Sequence, residues 1–435
     1  MRRSAAMNRC AAPEEWVPPA AIKLLSAAGF RLLRGLNKVG RLAIDDGRRI
    51  VSLDRETLLE KSSRLMGLTD FGGDAFLTPL DVLLRSFEED AELNLVGRIT
   101  VHREMLRLLC NRLCIQRDRI LFPIIAHEMI RQPIVITGLP RSGTTFLHGL
   151  LAQDPCCRAP QVWEVMHPSP PPECATYRSD PRIALTRREL SFINVLMPGF
   201  EKCHCIEARL PQECIAITDH SFLSYLFESM YYVTSYRKWH DAQDKRPAYR
   251  YHRQFLQTLQ WNCPGSHWVL KAPSHMMALD ALLEVYPDAQ IVMTHRDPLK
   301  VLPSCASFAQ VLRAPFTARI DLIALGAEVS LRWADSADAA TRLRSRQKGV
   351  HGRFYDVSYP DLARDPMAVV RSIYSYFGRE LTREAQDAMR LFIVQQPKDK
   401  NGVHSYCLQQ FGLDPDEERE KFNWYSNYFG VTPEI

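Results

Sequence analysis

The 435-residue chain lacks a disulfide framework: its twelve cysteines are scattered without paired spacing. No apolar h-region follows the initial Met-Arg-Arg, which argues against a signal peptide, so the cysteines read as reduced thiols of a cytoplasmic protein. Cys203-His204-Cys205 with Cys214 is the one grouping that invites zinc. A C-x-C with a single remote partner departs from the paired spacings of structural sites, and no metal is expected. The chain also lacks strong charge of either sign. A net +5 is too mild to argue for nucleic acid; it fits a protein that handles an anionic nucleotide, and equally an ordinary surface. Internal repeats and long low-complexity segments are missing too. Residues 20–45 alternate Ile22, Leu24, Leu25, Phe30, Leu33, Leu36 and Leu42 with Lys23, Arg31, Arg34, Lys38 and Arg41. These charges exclude a spanning helix and leave two readings, a weak membrane-surface contact or a cap on the protein's own core.

Residues 134–151 carry the most information. Ile134, Val135 and Ile136 form an apolar strand, Gly138-Leu-Pro-Arg-Ser-Gly143 a loop, and a helical pattern starts at Thr144. Strand, glycine loop and helix N-terminus make a phosphate cradle, in which backbone N–H groups and the helix dipole favour an anion. The glycine spacing is that of a nucleotide loop, but the lysine that spans the β- and γ-phosphates of a triphosphate is absent: Thr144 stands in its place. Arg141 supplies a forked cation instead, and Ser142, Gly143, Thr144 and Thr145 add backbone and hydroxyl donors. The loop therefore suits a nucleotide whose transferable group is not a γ-phosphate.

A second segment, 268–308, runs from Trp-Val-Leu-Lys271-Ala-Pro-Ser-His-Met-Met through Gln-Ile-Val-Met-Thr-His-Arg296-Asp-Pro to Ser304. Together with Pro140-Arg-Ser-Gly-Thr-Thr145, it resembles the sulfotransferases that use 3′-phosphoadenosine-5′-phosphosulfate, most closely the bacterial branch related to tyrosylprotein sulfotransferases. The resemblance covers roughly residues 130–412. It implies that Pro140–Thr145 is the 5′-phosphosulfate loop and that Arg296, with Ser304 eight positions later, is the 3′-phosphate site. It implies that Lys271 steadies the sulfuryl group or the departing phosphate, and that Glu164, in Arg158-Ala-Pro-Gln-Val-Trp-Glu164, takes the acceptor proton. Other branches use a histidine, for which His167, His204 and His220 are rivals. Lys398-Asp-Lys-Asn-Gly-Val-His-Ser-Tyr406 resembles a closing element, with Lys400 and His404 folded over the phosphates; a solvated turn is the alternative.

The expected fold is α/β: a P-loop-type parallel sheet flanked by helices, with a helical N-terminal extension. Residues 1–19 read as flexible, and 20–130 as helical, with Leu80, Leu84, Phe87 and Met105, Leu108, Leu109 at buried-face spacing. Residues 131–390 form the core, including an insertion at about 160–260 that lines the acceptor site, and 391–435 a closing segment. Strands are expected at 133–137, 268–270, 290–294 and 353–358. Ser274 is expected to cap one helix and Asp297-Pro298 to open another, which Pro303 kinks. The implied activity is sulfuryl transfer to a hydroxyl, or an amine, of a small-molecule, lipid, sugar or peptide acceptor. A P-loop phosphotransferase would need a triphosphate lysine and an acidic Mg²⁺ ligand, for which only Asp297 offers itself; a non-catalytic nucleotide-binding module would not retain Lys271.

Overall fold

The computed structural model describes residues 47–434, apart from 49, 198–199, 201–204, 318, 347–351 and 397–406. The N-terminal stretch 1–45, Cys203, His204, Lys400 and His404 lie outside the described residues.

Five parallel strands, β1 (Ile134–Gly138), β2 (Cys157–Arg158), β3 (His267–Lys271), β4 (Gln290–His295) and β5 (Phe354–Ser358), lie in the order β2-β3-β1-β4-β5. The apolar runs of β1, β3 and β4 are buried on both sides, as a parallel sheet covered by helices requires. Alternation divides them. Ile134, Ile136, Val269, Val292 and Val357 pack on one face against the helices Thr144–Leu151, Pro366–Tyr376 and Arg383–Gln395. Val135, Leu270, Ile291 and Met293 pack on the other, against Leu279–Val285, Pro298–Arg313 and Leu322–Arg346.

A separate apolar cluster joins the helical region before the sheet to part of the segment between β2 and β3. Helices Arg55–Met66, Leu77–Glu89 and Leu95–Leu121 bury Leu58, Leu80, Leu84, Phe87, Met105, Leu108 and Leu109. Asp54 and Asn94 cap the first and third through the amides of Thr57 and Gly97. Between β2 and β3 the chain runs through helices joined by loops, from Val162–Met166 through Pro181–Leu196 to Arg246–Gln260.

Two local expectations change. Ser274 is not a cap: Pro273 opens a 3₁₀ turn, 273–278, in which the His275 amide donates to the Ala272 carbonyl at 3.2 Å, and the α-helix starts only at Leu279. The Pro298–Arg313 helix runs through Pro303 without interruption; the proline forgoes the bond to the Leu299 carbonyl. Asp297 caps this helix as expected, accepting from the Leu299 amide at 3.0 Å.

Candidate functional site

Parallel register places the three segments singled out by sequence on one edge. Ile136 lies opposite Lys271, and Gly138 opposite Thr294, so the glycine loop, Lys271 and Arg296 all leave the sheet at its carboxyl end, where ligands bind in such folds. The loop geometry demands its glycines. Gly138 has φ 136°, and a Cβ there would lie 2.3 Å from the Thr294 carbonyl. Gly143 has φ 87°, and its Cβ would meet Leu362 at 2.8 Å. Arg141 itself is held at φ 63°, a conformation a non-glycine residue adopts only when its surroundings impose it. Buried Ser142 fixes the loop from below, donating to the Leu139 carbonyl and meeting Thr294 Oγ1 at 2.5 Å.

Arg141 Nε donates to Ser304 Oγ at 3.1 Å, and Arg296 Nη1 donates to the Arg141 carbonyl at 2.7 Å. Arg141, Arg296 and Ser304 thus form one corner, with the Tyr359 ring 4.0 Å beneath the Arg296 guanidinium. Glu434 also reaches this corner, accepting from Arg296 Nε and Nη2 at 2.9 and 3.0 Å. Asp297, the one acidic candidate for Mg²⁺, has both oxygens engaged by backbone amides, those of Leu299 and Glu434.

Lys271 is 1% exposed and reaches back to the helix start, donating to Thr145 Oγ1 at 3.0 Å and pairing with Glu213. The pairing follows from the backbone: the Cys214 amide donates to the Lys271 carbonyl at 2.8 Å, which lays residues 213–214 along the end of β3. Glu213 keeps 20% of its side chain exposed. His148 lies behind this pair; burial, with the Lys271 charge, pushes its imidazole down to about 3, so it is neutral and hydrogen-bonded to the Val269 carbonyl at 3.1 Å.

Glu164 is placed elsewhere. Its carboxylate is fully buried, one oxygen paired with Arg158 and the other accepting from the Gln161 amide at 2.8 Å and the Tyr177 hydroxyl at 2.9 Å. The amide bond is half of a capping box for the Val162–Met166 helix. The structure does not bring Glu164 to Lys271 or the loop; its oxygens serve the fold. His220 is equally sealed: Nδ1 lies 3.1 Å from the Ile217 carbonyl, Nε2 lies 3.1 Å from Asn111 Nδ2, and burial holds its imidazole far below the usual range. His167 is partly exposed and pairs with Glu189 at 2.9 Å. Cys205 is exposed and Cys214 buried. Among the described residues, the group with ligand atoms close enough for a metal ion is Glu228, His240 and Asp241. Arg332 pairs with both carboxylates, at 2.6 and 2.7 Å, and already supplies the positive charge a cation would bring. No helix among the described residues is long and apolar enough to cross a membrane.

The model of the sulfotransferase family matches residues 133–383. The solved structure of sulfotransferase STF1 from Mycobacterium tuberculosis H37Rv is 32% identical, with a TM-score of 0.76, covering 85% of this chain and 98% of that one. Sulfotransferase STF9 from Mycobacterium avium is 28% identical, with a TM-score of 0.81, covering 87% and 97%. Among curated proteins, the omega-hydroxy-beta-dihydromenaquinone-9 sulfotransferase Stf3 of Mycobacterium bovis is 25% identical over 325 residues, 69% of this chain and 76% of that protein.

Proposed function

The chain belongs to the sulfotransferase family, and from that premise we propose that it transfers a sulfuryl group from 3′-phosphoadenosine-5′-phosphosulfate to an acceptor hydroxyl. The convergence of the glycine loop, Lys271 and Arg296 on one sheet edge carries this reading. The loop amides and Arg141 receive the 5′-phosphosulfate, with Ser142, Gly143, Thr144 and Thr145 supplying further donors; Arg296 and Ser304 receive the 3′-phosphate. Glu213 takes the proton that the sequence comparison had assigned to Glu164. It is the partly exposed carboxylate joined to Lys271 at the mouth of the cradle, whereas Glu164 has no oxygen free.

In the reaction the acceptor oxygen bonds to sulfur as the bond from sulfur to the bridging phosphate oxygen breaks. The acceptor's proton passes to Glu213, and the bridging oxygen leaves as part of adenosine 3′,5′-bisphosphate. Lys271, held between Thr145 and Glu213, offsets charge developing on that oxygen. No metal takes part, and activity is expected to survive EDTA. The relative named for a hydroxylated dihydromenaquinone supports an alcohol on an apolar body as acceptor. Calorimetry tests the donor: adenosine 3′,5′-bisphosphate is expected to bind far more tightly than ATP, and equal affinities would sink the assignment. Labelled sulfuryl appearing on long-chain alcohols, and not on amines, tests the acceptor.

A further inference from the structure

The Arg296 corner holds a carboxylate. The Asn423–Phe429 helix is anchored against the end of β4: His295 stacks on Phe429 with ring centroids 4.0 Å apart, and its Nδ1 lies 3.0 Å from the hydroxyl of buried Tyr425. Gly430, at φ 64°, ends the helix, and the Val431 amide turns back onto the Ser426 carbonyl at 2.8 Å. Beyond the turn Thr432 and Pro433 are exposed. Glu434 attaches the tip, with its carboxylate across the Arg296 fork at 2.9 and 3.0 Å and its amide on Asp297 Oδ2 at 2.9 Å.

A guanidinium fork receives carboxylate and phosphate oxygens in the same bidentate geometry. The remaining nitrogen, Nη1, is committed to the Arg141 carbonyl, and one ring face lies on Tyr359. A phosphate arriving at this fork must displace the Glu434 oxygens or share the cation with a like charge. We propose that residues 430–434 are a built-in competitor for the donor, Glu434 standing in for the 3′-phosphate until the nucleotide displaces it; this rests on the donor reading above. The anchored helix and exposed tip make displacement local: the tip lifts while Tyr425 and Phe429 stay packed. Such a strap lowers apparent donor affinity by the fraction of molecules in which it is closed. It also supplies a carboxylate for the guanidinium when the product departs.

The experiment titrates wild type, Glu434→Gln and a variant lacking residues 431–435 with adenosine 3′,5′-bisphosphate and with adenosine 5′-phosphate, which has no 3′-phosphate. For a partly exposed pair, both variants are expected to bind the bisphosphate about 3–10-fold more tightly than wild type and the monophosphate unchanged. Hydrogen exchange at residues 431–434 of wild type is expected to rise on adding the bisphosphate. Unchanged or weaker bisphosphate binding in both variants, or slower exchange at the tip, overturns the competitor and makes Glu434 a prop for Arg296. If wild type does not prefer the bisphosphate to the monophosphate, the donor reading itself fails and the competitor falls with it.

Discussion

Glu164 and Glu213 sit in adjoining segments yet have opposite fates. Their backbones touch: Gln161 bridges Pro211, and the Gln212 amide donates to the Pro160 carbonyl at 2.7 Å. Glu164 faces inward to Arg158, Tyr177 and its own helix start, and is 0% exposed. Glu213 faces the end of β3, shares Lys271 with the cradle and remains 20% exposed. A carboxylate can accept a substrate proton only if an oxygen is left for it and the substrate can reach that oxygen. Proximity in sequence to the phosphate loop favours Glu164; exposure and the pairing with Lys271 favour Glu213.

The largest effect should separate the two by turnover. Glu213→Gln is expected to lower kcat about 10²–10⁴-fold, the usual range for losing a general base, while bisphosphate affinity stays within a few-fold of wild type. Near-normal turnover would return the role to a histidine, with His167 the described candidate still partly exposed.

The reverse experiment is Glu164→Gln. It leaves the Arg158 charge buried beside a neutral amide, and urea unfolding should show a loss of about 3–5 kcal/mol, with kcat per folded molecule close to wild type. A variant of normal stability and no activity would break the comparison and restore Glu164 as base. Both experiments need the donor site intact, and Arg296→Ala calibrates it: loss of a charge-assisted phosphate contact should weaken the bisphosphate by about 2–3 kcal/mol, measured by calorimetry.

The smallest effect concerns three buried histidines. Burial, with help from Lys271 at His148 and from His252 and Lys271 at His275, pushes His148, His252 and His275 down to about 3. The unfolded chain takes up these protons near pH 6.5 and the folded protein only near pH 3, so stability is highest at neutral pH and falls through that window on acidification. Between pH 7 and 5 each should cost about 1–2 kcal/mol. His252→Gln should flatten the profile by one such step in unfolding titrations; an unchanged slope would mean that the buried ring takes up its proton as readily as in the unfolded chain.

The glycine loop and the strand-end cations were legible because they are written in backbone terms. Gly138 and Gly143 report positions where no side chain fits, and Arg141 and Thr144 say what replaces the triphosphate lysine. Lys271, Arg296 and Asp297 follow apolar strand runs closely enough to be placed at strand ends. The acceptor side was not legible in this way. Nothing in Leu210-Pro-Gln-Glu213 distinguishes that glutamate from Glu207 six residues earlier. Its place beside Lys271 depends on one amide, that of Cys214, docking on the Lys271 carbonyl. The partnership of Glu434 with Arg296 spans 138 residues and has no local signature at all.

By itself the sequence determined the parallel sheet, the anion cradle and the cationic corner. These arise from short-range rules: strand periodicity, the steric freedom of glycine, and helix N-termini that follow directly in the chain. Only the tertiary structure decided which carboxylate stands beside Lys271, that Glu164 is sealed into an ion pair, and that a distant segment lies on Arg296. Those outcomes depend on packing, which joins residues whose separation along the chain carries no signal.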